Sequence, residues 1–229
     1  MTSNGIGTLN EKPLHAALKE YCARPGDRLE APVDGYVIDI VRGGLLIEIQ
    51  TGNFTKIKAK LADLVPRYPL RLVYPIAAEK WIVKEATAGS PTVRRKSPKR
   101  GDAADLFAEL VRFPELTAEP NFSLQVLLIR EEEVRRRSQS RRAWRRRGWV
   151  TEERRLLNVL QEKLFESPAD LADLLPPGLT DPFTTKELAA ALSRPRRLAQ
   201  QMAYCLRQMG ALAVVGKRER SIVYTRTRD

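Results

Sequence analysis

Two cysteines in 229 residues, Cys22 and Cys205, and a single histidine, His15, leave little room for the chemistries those side chains support. The cysteines lie far apart with no CxxC spacing, so neither a zinc knuckle nor a disulfide framework is expected, and both read as buried thiols. One histidine excludes a metal site built from several imidazoles and a general-base scheme that needs more than one. No apolar run approaches the roughly 20 residues that span a bilayer. The opening MTSNGIGTLNEK holds no signal-peptide core. The expectation is a cytoplasmic protein without a membrane partner, in which any catalysis rests on carboxylates, lysines and metal.

What the chain has is positive charge. Forty Lys and Arg stand against twenty-eight Asp and Glu, a net charge of +12, which favours a polyanionic partner, with duplex DNA the default. Hydrophobic residues make up 43% and charged residues 30%, enough for one sizeable core and a smaller second domain.

The segment VIDIVRGGLLIEIQ reads as two apolar strands joined by Gly43-Gly44. A two-residue turn there pairs 42 with 45, 41 with 46, 40 with 47 and 39 with 48, which sets Asp39 opposite Glu48. Like charges directly opposed across an antiparallel pair repel, and a divalent ion between them would offset that repulsion, since hard cations such as Mg²⁺ take oxygen ligands. Gln50 follows Glu48 on the same face, while Ile47 and Ile49 point the other way.

Around this hairpin the spacing predicts a helix over 10–23 with Asn10 as cap and Leu14, Leu18 and Tyr21 inward, then about three strands. A second helix is predicted over 54–66, with Phe54, Ile57, Leu61 and Leu64 on one side and Lys56 and Lys60 on another. Strands are expected at 69–76, at 79–86 as an edge or return strand, and at 123–133, with a helix from Asp102. From Glu131 the chain holds three Glu and then eight Arg between 135 and 147. That run reads as a solvated helix or a flexible basic tether carrying Arg141, Arg142 and Arg145 towards a phosphate backbone.

The last eighty residues read as a separate unit: an amphipathic helix over EERRLLNVLQEKLFE, and a helix at TTKELAAAL capped by Thr184 or Thr185 with Glu187 in the capping-box position. A helix over 196–209 follows, stopped by Gly210. Two strands around the basic loop 216–220 close the chain.

Two resemblances follow. Residues 1–135 are similar in pattern to the PD-(D/E)XK nuclease superfamily, whose core runs helix, strand meander, helix, strand. Its metal motif, an Asp on one strand and an acidic-x-Lys triplet on the next, corresponds to Asp39 and Glu48-Ile49-Gln50, with Gln50 where the family has lysine. The resemblance implies an α/β fold of restriction endonuclease type and Mg²⁺- or Mn²⁺-dependent hydrolysis of DNA phosphodiesters. Asp39 and Glu48 would be metal ligands, the Ile49 carbonyl a further one, and Glu11 a ligand from the first helix, with Glu20 or Glu30 as alternatives. The missing lysine would come from Lys56, Lys58 or Lys60, and such enzymes often work as homodimers. Residues 151–229 resemble winged helix-turn-helix domains, a mainly α unit reached through an Arg-rich connector at 136–150. That likeness implies duplex contacts from Arg194, Arg196, Arg197, Gln200 and Gln201 on the second helix of the motif, and from Lys217, Arg218 and Arg220 in the wing. The alternative is a non-catalytic DNA-binding protein that keeps a degenerate nuclease-like fold.

Overall fold

The computed structural model describes residues 12–85, 91–140, 144 and 148–227. Helix α1 (Pro13–Cys22) starts with Pro13 in its first turn, where a missing N–H costs nothing, and buries Leu14 and Leu18. Tyr21, expected inward, is 47% exposed and donates its hydroxyl to Glu162 Oε1. The expected cap, Asn10, lies outside the described residues.

Three strands follow as an antiparallel meander: β1 (Arg28–Val33), β2 (Tyr36–Arg42) and β3 (Leu45–Ile49). The turn between β2 and β3 uses Gly43 at φ +57, which glycine adopts without a Cβ penalty. It pairs Arg42 with Leu45, Val41 with Leu46 and Ile40 with Ile47. A 3-10 turn at Phe54–Lys56 and helix α2 (Lys58–Leu64) then carry the chain across to β4 (Leu70–Lys84), which lies parallel to β3. Phe54, Ile57, Leu61 and Leu64 are all buried, as their helical spacing requires.

Strand β4 is one continuous element, which corrects the expectation of separate strands at 69–76 and 79–86. Ala77-Ala78 offers no turn residue, and the register steps from Ala77–Ile129 to Glu79–Arg130, so Ala78 is absorbed as a bulge. β5 (Val93–Lys96) pairs with the far end of β4. After helix α3 (Phe107–Leu110), β6 (Phe122–Arg137) runs parallel to β4, and β7 (Trp149–Phe165) closes the sheet antiparallel to β6. The result is a mixed α/β layer, a seven-stranded sheet in the order β1-β2-β3-β4-β6-β7 with β5 beside β4.

β7 overturns two expectations. Residues 151–165 form a strand of the large sheet, not an amphipathic helix, and 131–137 continue β6 rather than forming a charged helix or tether. Glu152, Leu157 and Leu160 are each skipped by the β6–β7 register. Each bulge adds one residue to a period of two, so apolar positions recur at spacings of three and four and imitate a helix. The bulges also suit an edge strand, because they deter pairing with another chain. Glu131, Glu132 and Glu133 meet basic side chains of β4, β5 and β7: Lys80 Nζ lies 2.8 Å from Glu131 Oε1 and 3.1 Å from Glu133 Oε2, Arg154 donates to Glu131 Oε2 at 2.5 Å, and Arg94 donates to Glu132 Oε1 at 2.7 Å.

The C-terminal segment begins at helix α4 (Pro168–Ala172) and continues through β8 (Phe183–Thr184), α5 (Thr185–Leu192), α6 (Arg196–Gln208), β9 (Leu212–Arg218) and β10 (Ser221–Arg226). Thr184 and Glu187 cap α5 reciprocally. The strands form a three-stranded sheet in the order β8-β10-β9. A separate unit starting at 151 is therefore corrected in two respects: β7 belongs to the large sheet, and the later helices share its core. Leu198, Met202, Cys205 and Leu206 of α6 join Phe107, Leu110 and Phe113 in one buried cluster with Phe54, Leu61 and Leu72. A second cluster, Leu14, Leu18, Ile40, Ile47, Ile49, Val73, Leu127 and Ile129, fills the opposite face beneath α1.

Candidate functional site

β2 and β3 bring Asp39 and Glu48 to the edge of both clusters. The β2–β3 ladder stops at Ile40–Ile47, one step short of the two acids. On the other side the β1–β2 register passes from Leu29–Ile40 to Ala31–Ile38, and the intervening Glu30 has φ +48. Asp39 sits at this break. Its Oδ2 accepts a hydrogen bond from the Ile49 main-chain N–H at 2.8 Å, and His15 Nε2 of α1 lies 3.3 Å from the same oxygen. Burial works against the Asp39 anion, but the bonds from His15 and Ile49 more than compensate and hold its pKa below the usual carboxylate range.

Glu48 has the opposite fate. It is buried to 5% exposure, and burial first, then the Asp39 charge, push its pKa up to about 7. The repulsion anticipated from the hairpin is thus present as a shifted titration. Lys60 on α2 lessens it: its ammonium lies 2.5 Å from Glu48 Oε1 and donates to the Val37 carbonyl at 2.6 Å. At this short contact burial and Asp39 still outweigh Lys60, because the carboxylate is almost wholly removed from water.

The other expected residues divide clearly. Lys58 and Lys56 are exposed, so Lys60 is the lysine that α2 delivers. Gln50 turns its amide to the Asn53 carbonyl at 2.9 Å, and its main-chain N–H pairs with Val73. Ile49 meets Asp39 through its N–H rather than through its carbonyl. Glu30 is engaged by Lys19 at 2.5 Å and Glu20 is exposed. Glu11, Arg141, Arg142 and Arg145 lie outside the described residues. His15 was not among the expected site residues, and its four-residue spacing from Glu11 on one helical face is the signal that could have found it.

Among the described residues no group of three or more His, Cys, Asp or Glu side chains could hold a metal ion. A Mg²⁺ ion needs fewer, since it keeps several waters and is held by one or two carboxylates together with substrate phosphate. The pair Asp39 and Glu48 supplies that hard-oxygen donor set, and the Glu48 shift marks a place where added positive charge is stabilising. The donor chemistry fits such an ion.

In the C-terminal segment Arg196, Arg197 and Gln200 are exposed on the first turns of α6, and Lys217, Arg218 and Arg220 are exposed around the β9–β10 turn. Arg218 also donates to Glu187 Oε1 at 2.7 Å. Arg194 and Gln201 are turned instead towards partners within the protein. Arg194 Nε donates to Asp102 at 3.1 Å and Nη1 to the Arg100 carbonyl at 2.8 Å, while Gln201 Nε2 reaches the Ala108 carbonyl at 3.5 Å.

Residues 12–166 match the family described as Domain of unknown function (DUF8091). The match runs from the start of α1 to the end of β7, the extent of the large sheet, and leaves α4 to β10 beyond it. The chain is also similar to an uncharacterized protein of Treponema pallidum (strain Nichols), 30% identical over 185 residues that cover 80% of this chain and 73% of that protein. No solved structure matches the chain.

Proposed function

The chain belongs to the DUF8091 family, and we propose that it is a metal-dependent nuclease acting on DNA, with its centre at Asp39, Glu48 and Lys60 on a sheet of PD-(D/E)XK type. The single observation that carries this reading is the ion pair of Lys60 with Glu48 beside Asp39. It supplies from α2 the cation that Gln50 lacks. The order of α1, the β1–β3 meander, α2 and a β4 parallel to β3 agrees with the core of that superfamily.

Asp39 and Glu48 would hold Mg²⁺ or Mn²⁺, and when bound the ion would lower the pKa of water and polarise a phosphoryl oxygen. His15 and the Ile49 N–H keep Asp39 ionised and oriented. Lys60, anchored by the Val37 carbonyl, places an ammonium where charge develops on the phosphate, a donor fixed before reaction and therefore without reorganisation cost. Glu48, with its pKa near neutrality, would have to be ionised to serve as a ligand, so metal affinity should rise as pH passes 7.

The C-terminal segment would act as a winged helix that brings duplex DNA to this centre. Its helices α4, α5 and α6, and the sheet β8-β10-β9 with a basic turn, support that reading, with Arg196, Arg197, Gln200, Lys217, Arg218 and Arg220 as contacts. A second reading, a DNA binder without catalysis, is favoured by one observation: His15 and Lys60 already partner both acids. Cleavage of plasmid and oligonucleotide duplexes with Mg²⁺ or Mn²⁺ separates the two. The nuclease reading expects divalent-dependent cutting that Asp39→Ala and Glu48→Ala abolish while binding persists. Binding indifferent to EDTA, with no cutting at any metal concentration, establishes the second reading.

A further inference from the structure

On the α1 side of the large sheet, past the C-terminal end of α1, lies a cavity of about 300 Å³ lined by Tyr21, Cys22, Arg24, Arg42, Arg71 and Gln125, with Glu162 and Ile47 completing it. It belongs to the end of β3 where Arg42 and Leu45 form the turn, whereas Asp39 and Glu48 lie towards the other end. Helix α1 is only ten residues long and covers Ile40, Ile47 and Ile49. Beyond its reach the sheet face changes from apolar to polar.

Three guanidinium groups converge there. Arg42 is held by Asp27 through Nε at 3.0 Å and Nη2 at 2.7 Å, and the same Nη2 caps the Cys22 carbonyl at the helix end at 2.7 Å. Its Nη1 has no acceptor among the described residues. Arg71 uses only Nε, on Ser123 Oγ at 3.3 Å, and the Arg24 side chain has no described acceptor. Arg71 stands half-buried among the buried Leu70, Leu72 and Val73 at the start of β4. The one lining carboxylate, Glu162, is occupied on both oxygens, by the Tyr21 hydroxyl at 2.5 Å and by the Gln125 amide at 2.6 Å.

We propose that this cavity is a binding site for a phosphate group, recognised by the free guanidinium edges of Arg24, Arg42 and Arg71. Arginine forks match phosphate oxygens in pairs, and the pre-set Arg42 loses little freedom on binding. Cys22 forms a neutral wall. Its thiol is pushed up to about 11, by burial first and by Glu162 second, so the site binds rather than reacts. The phosphate could belong to a small phosphorylated molecule or to the 5′ end of a nucleic-acid strand.

Titration of the full chain with inorganic phosphate, against sodium chloride at matched ionic strength, tests this by the thermal unfolding midpoint. Phosphate is expected to raise the midpoint and chloride to leave it unchanged. Arg71→Gln and, separately, Arg24→Gln should each weaken the apparent phosphate affinity at least about tenfold. Arg24 is exposed, so its variant reports on the cavity even if the Arg71 variant does not fold. A single-stranded oligonucleotide bearing a 5′-phosphate that binds more tightly than its 5′-hydroxyl twin assigns the site to strand ends. Equal binding of the two, with the phosphate effect intact, assigns it to a free phosphate ester. A midpoint that does not respond to phosphate, or a folded Arg24→Gln protein that responds as the parent does, overturns the proposal.

Discussion

Lys60 Nζ lies 2.5 Å from Glu48 Oε1 on β3 and 2.6 Å from the Val37 carbonyl on β2, so one ammonium ties α2 to both strands that carry the acids. Asp39, two residues beyond Val37, completes a group of two carboxylates and one cation at the edge of the core.

Removal of that cation should be costly in a pH-dependent way. Lys60→Met leaves Glu48 buried without its partner, a loss of about 3 kcal/mol when the carboxylate is charged. Below pH 6 Glu48 takes up a proton and the loss shrinks. Urea unfolding of both proteins at pH 5.5 and pH 8 should show the difference widening with pH, and a pH-independent difference would mean that the pair contributes no net charge interaction.

Glu48 also sets a pH window for the parent. Its folded pKa of about 7 stands above its ordinary value of 4.5, so between these values the folded state binds more protons than the unfolded chain. Stability from this group therefore falls as pH rises from 4.5 to 7. Asp39 acts in the reverse sense, since its lowered pKa adds stability that is lost as pH drops through the folded value. Glu48→Gln should flatten the loss between pH 5 and 7, as read by thermal midpoints across that range.

Arg194 and Arg197 are three residues apart and should behave as different kinds of residue. Arg194 is 19% exposed and clamps the loop before α6 to Asp102 and Arg100, so Arg194→Ala should cost about 1 kcal/mol of stability. Arg197 is exposed, so Arg197→Ala should leave stability unchanged and weaken duplex binding with a shallower salt dependence. Unfolding curves and binding isotherms at two salt concentrations read both effects.

The hairpin was legible as far as Ile40–Ile47, because Gly43-Gly44 fixes its register; the expected pairing of Asp39 with Glu48 was not, since the ladder ends one step before it and Ile38 and Ile40 fall in opposite clusters. The helix from Thr185 was legible because Thr184 and Glu187 satisfy each other's main-chain groups, a purely local device. β7 was not legible, since its three bulges give leucines the spacing of a helix and only the pairing with β6 shows a strand. The choice among Lys56, Lys58 and Lys60 was undecidable from the chain, because it depends on how α2 is rolled over β2 and β3. The arginine cavity joins residues 24, 42, 71 and 125, which no local pattern connects.

Gly101 is a packing constraint of the same non-local kind. A Cβ there would lie 2.7 Å from the Ala77 carbonyl oxygen and 2.8 Å from Ile76 Cγ2. The first is backbone of β4, beside the bulge, and cannot swing aside. Gly101→Ala should destabilise the protein by about 1–3 kcal/mol, measurable by denaturant unfolding.

The most direct test of the proposed centre is the rate of duplex cleavage in Mn²⁺ by the parent and by folded Lys60→Met protein at pH 8. The parent should cut, and the variant should be slowed by about a hundredfold or more, with duplex binding retained. Cleavage at the parent's rate by the variant would contradict the role given to the Lys60–Glu48 pair.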